Sequence, residues 1–394
     1  MEKPHRSHVL ILFGTRPEII KLAPVIHELK ARGIGTKVVS SSQHTHLLRP
    51  FLKMLDVTVD HDLKAGKANQ GPNDVCSRVV AKLDVLFQAE KPDVVLVQGD
   101  TTTALAGAIA AFNRGIKVGH VEAGLRSGNR LSPFPEEMNR RLISQIADLH
   151  FAATADNRNV LIKEGISRRQ ISVTGNPVVD SLTNISERLG QNRRSGKKYL
   201  NKSDKHNSPL AVSGQIQKIL DITSGQRSVL LTTHRRESFG ETMSGNLCVL
   251  RDFIAKHDDT ALLFPVHPNP NVRKVTEEIL SGQERVFLLE PLDYKDFIAV
   301  MRSAWLIVSD SGGVQEEAPT LGKPLLVLRE NTERPEAVRS GVARLVGSDP
   351  KRLKKMLTEC YEDETWVRSV KKVKNPFGNG QAAKKIVDFL KKNA

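Results

Sequence analysis

One segment, Leu306 to Pro319 (LIVSDSGGVQEEAP), combines residue types that could bind a phosphorylated ligand. An apolar run ends in small polar residues, and a glycine pair then leads into a helix-like stretch with two glutamates. Ser311, Gly312 and Gly313 are small enough for a phosphate to approach their backbone N–H groups at the positive end of that helix. Further along, Glu317 could accept hydrogen bonds from the hydroxyls of a ribose. The pattern fits a nucleotide diphosphate site, although a capped strand–loop–helix turn explains it equally well.

A second segment, GTRPE (14–18), follows the first apolar run of the chain. Pro17 and Glu18 suit the first turn of a helix, where proline is tolerated and an acid complements the helix dipole. Arg16 and Lys21 do not, because cations are disfavoured at that end of a helix. These two cations therefore favour a role in binding an anion. No GxGxxG pattern follows this run, which argues against a dinucleotide-dependent redox enzyme.

Three carboxylates occupy positions from which a sheet could present them to a ligand. Asp100 in QGDTTT and Glu122 in GHVEAG each follow a strand-like run, and Glu136 begins a helix-like stretch after SPFP. In open α/β sheets, ligands bind at the carboxyl ends of the strands. Asp100 could instead cap a helix, and an acid in a first helical turn, such as Glu136, needs no functional explanation. Glu122 interrupts an otherwise uncharged context, so a functional role explains it better.

Titratable and cationic residues recur in the second half of the chain. His234 in THRRE follows a strand-like run together with two arginines, and Arg334 in TERPE follows a later run. If the chain forms two domains around a cleft, these residues would give the second domain a histidine and phosphate-binding cations. No cluster of histidines, cysteines and carboxylates has the spacing of a metal site. The prediction therefore includes neither a metal nor a cofactor.

Length and composition bound the class of protein. The 394 residues are enough for two domains, and 39% hydrophobic with 26% charged residues is typical of a soluble globular protein. No apolar run approaches the ~20 residues that span a bilayer, and the first run is too short for a signal peptide. The three cysteines are far apart, which fits a reducing compartment. We therefore expect a cytoplasmic protein that does not insert into membranes.

The net charge of +15 raises the question of a nucleic-acid partner. Much of the excess lies in two stretches, 186–218 and 351–394, where aromatic residues are sparse. Without aromatic side chains there is no platform on which bases could stack. A solvated basic surface is the better interpretation, and no nucleic-acid partner is predicted.

Short β-rich runs alternate with longer helical stretches along the whole chain. Runs that are apolar on both faces are the signature of a parallel sheet covered by helices on each side. The predicted strands fall in two series: 9–13, 36–40, 93–98 and 117–121, and then 228–234, 261–267, 285–290, 305–310 and 324–328. The pattern predicts the α/β class, with two doubly wound Rossmann-like domains that face a cleft.

A polar stretch rich in Lys, Asn and Ser separates the two series. We therefore predict an N-terminal domain over residues 1–187, a linker or insertion over 188–209 and a C-terminal domain over 210–376. The last segment, 377–394, contains a helix that is expected to pack back on the first domain. The carboxylates fall in the first predicted domain and the glycine pair falls in the second.

Taken together, the motifs resemble those of the non-hydrolysing UDP-N-acetylglucosamine 2-epimerases, a family with the two-domain GT-B architecture. The resemblance spans nearly the whole chain, through GTRPEIIKLAPVI, QGDTTT, GHVEAGLRSGN, SPFPEEMNRR, TGNPVVD, THRRESFGE, PVHPNP, SDSGGVQEEAP and TERPE. It implies reversible conversion of UDP-GlcNAc to UDP-ManNAc, by elimination of UDP to 2-acetamidoglucal and re-addition on the other face of C2. It also implies a homodimer and a product that supplies precursors for surface polysaccharide.

The resemblance further implies roles for individual residues. The catalytic group would be Asp100, Glu122, Glu136 and His234. A larger group would bind the UDP-sugar, with Phe297 beside the uracil: Arg16, Lys21, Arg141, Phe297, Ser311, Gly312, Gly313, Glu317 and Arg334. Which carboxylate removes the C2 proton and which returns it stays open.

Some bacterial members of this family bind a second UDP-GlcNAc as an allosteric activator. Gln43 and His44 match a TAQH-like segment of that region, whereas His46 and Asn69 stand where relatives often have Gln and Arg. Allosteric activation is therefore an open question. Two other activities remain alternatives: a GT-B glycosyltransferase, which needs an acceptor, and a hydrolysing 2-epimerase, which releases free ManNAc and UDP.

Overall fold

The computed structural model describes residues 8–42, 45–67, 70–194, 210–233 and 240–393. The chain forms two compact units. Unit 1 comprises Met1–Ser181 and Phe377–Ala394, and unit 2 comprises Leu182–Pro376. No helix among the described residues is both long enough and apolar enough to cross a membrane.

Unit 1 is built on a parallel sheet. Its strands are β1 (His8–Phe13), β2 (Gly35–Ser40), β3 (His61–Asp62), β4 (Val94–Gln98), β5 (Lys117–Ala123), β6 (Leu149–Ala152) and β7 (Ile171–Val173). Its helices are α1 (Arg16–Ala31), α2 (Thr45–Met54), α3 (Pro72–Glu90), α4 (Thr102–Asn113), α5 (Glu136–Ile146) and α6 (Ala155–Lys163). Helix α7 (Pro177–Arg194) begins in this unit and continues past its boundary.

Unit 2 repeats the same design. Its strands are β8 (Arg227–Thr232), β9 (Thr260–Pro265), β10 (Val286–Leu289), β11 (Leu306–Ser309), β12 (Leu325–Val327) and β13 (Ala343–Leu345). Its helices are α8 (Gly214–Ile222), α9 (Glu241–Lys256), α10 (Pro270–Leu280), α11 (Tyr294–Ser303), α12 (Gly312–Thr320), α13 (Pro335–Arg339), α14 (Pro350–Glu362) and α15 (Thr365–Ser369). The last helix of the chain, α16 (Ala382–Asn393), belongs to unit 1.

The strand order explains where chemistry can be placed. Over the described residues the sheet of unit 1 has the order β3-β2-β1-β4-β5-β6-β7, and that of unit 2 has the order β10-β9-β8-β11-β12-β13. Both orders reverse direction beside the first strand, between β1 and β4 and between β8 and β11. Ligands of doubly wound sheets bind at the carboxyl ends of the strands at this reversal. The segments that follow β1, β4, β8 and β11 are therefore the ones to inspect.

The central strands are apolar because helices cover both of their faces. Every residue of β4 is buried, and β1 is buried from Val9 onward. These strands pair in parallel, with Val9 opposite Val94 and Ile11 opposite Leu96. The predicted α/β class is thus present in each unit. The sequence missed β3, β6, β7 and β13, which have only two to four residues each and therefore show little periodicity.

Helix α16 packs on unit 1 through polar and apolar contacts. The carboxylate of Asp180 accepts hydrogen bonds from the backbone N–H groups of Ala382 (3.2 Å) and Ala383 (3.0 Å), at the start of the helix. Along the helix, Phe389 meets Phe151 edge to face, with ring centroids 5.9 Å apart. Residues 188–194 of the predicted linker form the end of α7, and residues 195–209 lie outside the described residues.

Candidate active site

In unit 1, the ammonium group of Lys21 donates a hydrogen bond to Oε2 of Glu122. Lys21 lies in the second turn of α1 and Glu122 lies in β5, and the two residues are 8% and 6% exposed. A buried ion pair is weak evidence for stability, because desolvation of the two charges offsets their attraction. A residue that carries charge into such a place is therefore a candidate for function. The structure thus joins a predicted anion-binding cation to a predicted catalytic carboxylate.

The backbone of Glu122 adopts an uncommon conformation. Its φ is +69°, in the left-handed region that non-glycine residues rarely occupy. The pairing of β5 with β6 shifts register at this position, between Val121 and Ala123. Such irregularities redirect a side chain next to functional sites, and the surrounding contacts must hold the strained residue in place.

Glu18 ties together the segments that follow β1 and β4. Its Oε2 accepts hydrogen bonds from the backbone N–H groups of Gly14 (3.0 Å) and Thr15 (2.7 Å). Its Oε1 accepts a bond from the hydroxyl of Thr101 at 2.7 Å. Burial raises the pKa of Glu18, although these hydrogen bonds act in the opposite direction. Glu18, interpreted from sequence as a complement to the helix dipole, also fixes the junction at which the sheet order reverses.

Asp100 lies in the turn between β4 and α4. The helix is capped by Thr101, whose hydroxyl accepts a hydrogen bond from the N–H of Ala104 at 3.0 Å, so the alternative role of Asp100 as a cap is wrong. The Asp100 carboxylate instead accepts a hydrogen bond from Nη2 of Arg140 at 2.6 Å. Asn139 donates to the Asp100 carbonyl oxygen at 2.8 Å. Helix α5 therefore positions Asp100.

Helix α5 also carries Glu136, Glu137 and Arg141. Glu136 is its first residue and is half-buried. Glu137 is fully buried and accepts hydrogen bonds from the N–H of Ser127 at 2.9 Å and from Nε of Arg141 at 2.9 Å. Arg141, which is predicted to bind substrate, thus pairs with the carboxylate of Glu137. The sequence alone could not tell which of the two adjacent glutamates has a structural role. The contacts of Glu137 are those of a structural residue.

Two buried histidines lie in β5, the strand that carries Glu122, and in the neighbouring strand β6. His120 on β5 is paired with His150 on β6, and both are 0% exposed. Burial lowers the pKa of His120 to about 3 and that of His150 to about 4. Both rings are therefore neutral at pH 7. Nε2 of His120 lies 2.7 Å from the carbonyl oxygen of Gly99, and this contact holds the turn that precedes Asp100.

The remaining predicted residues of unit 1 fall into two groups. Arg16 is the first residue of α1, is exposed, and its guanidinium lies 5.2 Å from the centroid of the Phe51 ring. Gln43, His44 and Asn69 lie outside the described residues, so the allosteric prediction stays a prediction.

In unit 2, the glycine pair begins helix α12, as the sequence predicted. Ser311 occupies the N-cap position, and its N–H donates to the hydroxyl of Ser309 at 3.0 Å. A Cβ atom on Gly312 would lie 2.7 Å from Nη1 of Arg334, so no larger residue fits there without displacing the guanidinium. The first N–H groups of a helix have no partner within the helix, which suits them to an anion.

Arg334 lies between buried carboxylates. It donates from Nε to Glu316 at 2.6 Å and from Nη1 to Glu333 at 2.7 Å. Arg329 also donates to Glu333 at 2.7 Å. Burial opposes ionisation of Glu333, but the charges of Arg334 and Arg329 outweigh it and lower the pKa of Glu333 to about 2. The arginine predicted to bind phosphate is thus held in a charge-balanced network beside Gly312.

Glu317 lies in α12 and is buried. Its Oε1 accepts a hydrogen bond of 2.8 Å from the hydroxyl of Tyr294, the first residue of α11. Burial, reinforced by the Glu317 carboxylate, raises the pKa of Tyr294 well above its ordinary value, so the hydroxyl keeps its proton. Phe297 follows one turn later on the same helix and is half-buried. Tyr294 therefore orients the carboxylate that the sequence assigned to a ribose.

The reversal of strand order in unit 2 is also held by side chains. The hydroxyl of Thr233 donates to Oδ2 of Asp310 at 2.8 Å, and the hydroxyls of Thr232 and Ser309 are 2.6 Å apart. The first bond joins the segments that follow β8 and β11, as Glu18 does after β1 and β4 in unit 1, and the second joins the last residues of the two strands. His234 follows Thr233 directly but lies outside the described residues.

Comparison with known proteins decides the family. The family model for UDP-N-acetylglucosamine 2-epimerase matches residues 27–391. The chain belongs to the UDP-N-acetylglucosamine 2-epimerase family. The enzyme of that name from Escherichia coli strain K12 is 42% identical over 386 residues, which cover 98% of each chain.

Solved structures of family members confirm the fold class. UDP-GlcNAc 2-epimerase from Neisseria meningitidis, bound to UDP-GlcNAc, is 40% identical, with a TM-score of 0.87 over 98% of this chain and 100% of that chain. The enzyme from Methanocaldococcus jannaschii, in complex with UDP-GlcNAc and UDP, is 33% identical, with a TM-score of 0.78 over 98% and 100%. The α/β, doubly wound GT-B type predicted from the sequence is therefore confirmed.

Sequence reasoning missed several residues that this epimerase-family chain places around its predicted site. Glu18 joins the segments that follow β1 and β4, and Tyr294 donates to the predicted ribose-binding Glu317. Asn176 donates from Nδ2 to Oε2 of Glu122 at 3.1 Å. Its segment, TGNPVVD, contributed to the resemblance but received no role. The available signal was a polar residue between a glycine and a proline in a family motif, which identifies a position but not a partner.

Proposed function

We propose that this protein catalyses the reversible epimerisation of UDP-N-acetylglucosamine at C2 to give UDP-N-acetylmannosamine. The observation that carries the proposal is the buried Glu122, held by Lys21 at the carboxyl end of β5 in a chain of the 2-epimerase family. A buried carboxylate in a strained backbone position is expected where proton transfer is needed.

The chemistry explains why both cations and carboxylates are required. The C2 proton of the sugar is not adjacent to a carbonyl group, so it is not acidic in the ground state. As the C1–O bond to the diphosphate breaks, its electron pair leaves with UDP and C1 gains cationic character. A base then removes the C2 proton, and the C–H electrons form the C1=C2 bond of 2-acetamidoglucal. Re-addition of UDP at C1, with protonation on the other face of C2, gives the epimer.

The residues divide between these two tasks in our proposal. Carboxylates of unit 1 handle the proton at C2, and this group consists of Asp100, Glu122 and Glu136, with His234 as a further catalytic residue. The start of α12 receives the diphosphate of UDP, Glu317 accepts from the ribose, and Phe297 lies beside the uracil. Arg334, which Glu316 and Glu333 hold beside Gly312, also binds the UDP portion of the substrate. Arg16, Lys21 and Arg141 complete the substrate-binding group.

Proton exchange in deuterium oxide tests the proposal directly. UDP-GlcNAc incubated with the protein should gain deuterium at C2 and reach a mixture with UDP-ManNAc, as followed by NMR. In a non-hydrolysing enzyme, UDP stays attached to the product sugar. Release of free ManNAc and UDP would instead identify a hydrolysing enzyme. Loss of UDP-GlcNAc only when a sugar acceptor is added would identify a glycosyltransferase.

Substitution of the carboxylates tests the assignment of residues. Glu122→Gln, Asp100→Asn and Glu136→Gln should each lower kcat by about 100-fold or more, as expected for loss of a general acid or base. Glu28→Gln is the matched control, because Glu28 lies on α1 and pairs with Arg32 on the same helix. Its kcat should stay within about twofold of the unmodified protein. If Glu122→Gln behaves like Glu28→Gln, the assignment of Glu122 is wrong.

We further propose that the protein acts as a cytoplasmic homodimer and supplies ManNAc-type precursors for surface polysaccharide. Val85 on α3 and Phe112 on α4 are large apolar side chains that are 68% and 64% exposed, and these two helices pack against each other. Contiguous exposed apolar surface marks protein–protein contacts, and we propose that these two helices form the subunit contact. Light scattering should give twice the mass of one chain, and Val85→Asp combined with Phe112→Asp should reduce it to one.

A further inference from the structure

Asn176 directly precedes helix α7 and is 1% exposed. Each of its hydrogen-bonding groups has a defined partner in unit 1. Its backbone N–H donates to the carbonyl oxygen of Phe377 at 2.7 Å. Its Oδ1 accepts from the N–H of Val178 at 3.1 Å, and its Nδ2 donates to Oε2 of Glu122 at 3.1 Å. A side chain that only capped the helix would need no contact with Glu122.

The network settles which way the carboxamide points. Val178 offers a donor, so the atom that faces it must be the oxygen of the amide. The NH₂ group is therefore the one that faces Glu122. Lys21 donates to the same oxygen, Oε2. Two donors from two different helical segments, α1 and the start of α7, thus set the direction of one carboxylate.

Glu122 needs such support because its backbone lies in an uncommon conformation that the surrounding contacts must hold. Its φ of +69° and the register shift of β5 make the local conformation strained. We propose that Asn176 is a positioning residue, which holds the Glu122 carboxylate in the orientation required for proton transfer at C2. This inference rests on the proposed function, in which Glu122 is catalytic.

The C-terminal segment contributes to the same arrangement. Phe377 is 1% exposed and accepts the hydrogen bond from the backbone of Asn176. Gly175 and Gly378 approach closely, since a Cβ on Gly378 would lie 3.2 Å from the Cα of Gly175. The return of the chain to unit 1 therefore sets the position from which Asn176 reaches Glu122.

Asn176→Asp isolates the contact with Glu122. Aspartate keeps the oxygen that caps α7 and is as good a cap as asparagine, but it replaces the donor to Glu122 with a repelling oxygen. We expect kcat for C2 exchange to fall by about 100-fold while KM for UDP-GlcNAc changes by less than about threefold, because uniform binding is not affected. A purely structural role would not produce this separation of kcat from KM.

Asn157→Asp is the matched control. Asn157 is also a buried asparagine in unit 1, and its Oδ1 also accepts a backbone hydrogen bond at a helix start, from the N–H of Thr154 at 3.1 Å. Its kcat should remain within about twofold of the unmodified protein. Asn176→Ser provides a second variant, since serine keeps a capping oxygen and removes the donor without adding a charge. It should show the same loss of kcat even if Asn176→Asp folds poorly.

A double variant tests whether Asn176 acts through Glu122. In the Glu122→Gln background, Asn176→Ser should lower the residual exchange rate by less than about threefold, because residues that act as a unit are not additive. Full additivity, or a kcat for Asn176→Ser equal to that of the unmodified protein, would overturn the positioning role alone. Absence of C2 exchange in the unmodified protein would instead overturn the proposed function, and the positioning role with it.

Discussion

Lys21 donates a hydrogen bond from Nζ to Oε2 of Glu122, across 101 residues of sequence. The cation expected to bind the diphosphate is thus the direct partner of the carboxylate expected to act on the sugar. Because both side chains are buried, removing either one deprives the other of a charged hydrogen-bond partner. We therefore expect variants of this pair to lose stability and activity together.

Lys21→Met should destabilise the protein by about 3 kcal/mol, since it removes the cation that donates to the buried Glu122 carboxylate. Urea unfolding would measure this loss, and kcat should fall in parallel. Lys30→Met is the control, because Lys30 is exposed near the end of the same helix and should change stability by less than about 0.5 kcal/mol. Equal stability of the two variants would contradict the pairing. Addition of Glu122→Gln to Lys21→Met should restore part of the lost stability.

Glu18→Ala should lower the free energy of unfolding by about 3 kcal/mol, because it removes the acceptor for one buried N–H group and for the half-buried N–H of Thr15 and hydroxyl of Thr101. We also expect reduced activity, since the segments after β1 and β4 lose the carboxylate that joins them. Glu28→Ala removes a glutamate of the same helix from a surface pair and should be within about 0.5 kcal/mol. Chemical denaturation of the two variants measures this difference. An equal loss of stability in both would show that Glu18 does not join the two segments.

Tyr294→Phe should weaken UDP binding about tenfold, because the hydroxyl that orients Glu317 is lost. Titration calorimetry with UDP would measure the affinity. Tyr361→Phe is the matched control, since the Tyr361 hydroxyl donates to Asp259 at 2.8 Å in an exposed pair. Unchanged UDP affinity in Tyr294→Phe would show that Glu317 needs no support from Tyr294.

Because the two buried histidines have lowered pKa values, we expect the protein to lose stability in acid. The pKa values of His120 and His150 in the folded protein are about 3 and about 4, below the value of about 6.5 expected in the unfolded chain. Between these limits the unfolded state binds more protons, so stability falls as pH decreases below about 6.5, by at most about 1.4 kcal/mol per pH unit for each histidine. His120→Gln should reduce this slope, as measured by urea unfolding at pH 7, 6 and 5. An unchanged slope would exclude His120 as a contributor.

The architecture could be predicted because each central strand carries its own signal. Strands such as β4 and β11 are continuous apolar runs, and each ends in small or polar residues at the point where the sheet stops. Parallel strands end on the same side of a sheet, so Asp100, Glu122 and Ser311 could be assigned to strand ends before any contact was known. The short strands at or near the sheet edges, such as β3 and β13, gave no such signal.

The site was only partly predictable, because a strand end specifies a place and not a partner. A helix cap is the commoner role for an aspartate after a strand, and only the capping by Thr101 excludes that role for Asp100. Arg334 stays predicted to bind phosphate, and nothing in the sequence indicated that Glu316 and Glu333 hold its guanidinium. Each of these outcomes depends on which side chains compete for the same group.

By itself, the sequence determined the class of fold, the family motifs and the strand ends that carry chemistry, since these follow from local periodicity and composition. Only the tertiary structure decided that Lys21 and Asn176 converge on one oxygen of Glu122, and that Tyr294 supports Glu317. These contacts join residues that are 23 to 101 positions apart. Their geometry depends on how whole strands and helices pack, and no local pattern encodes that distance or direction.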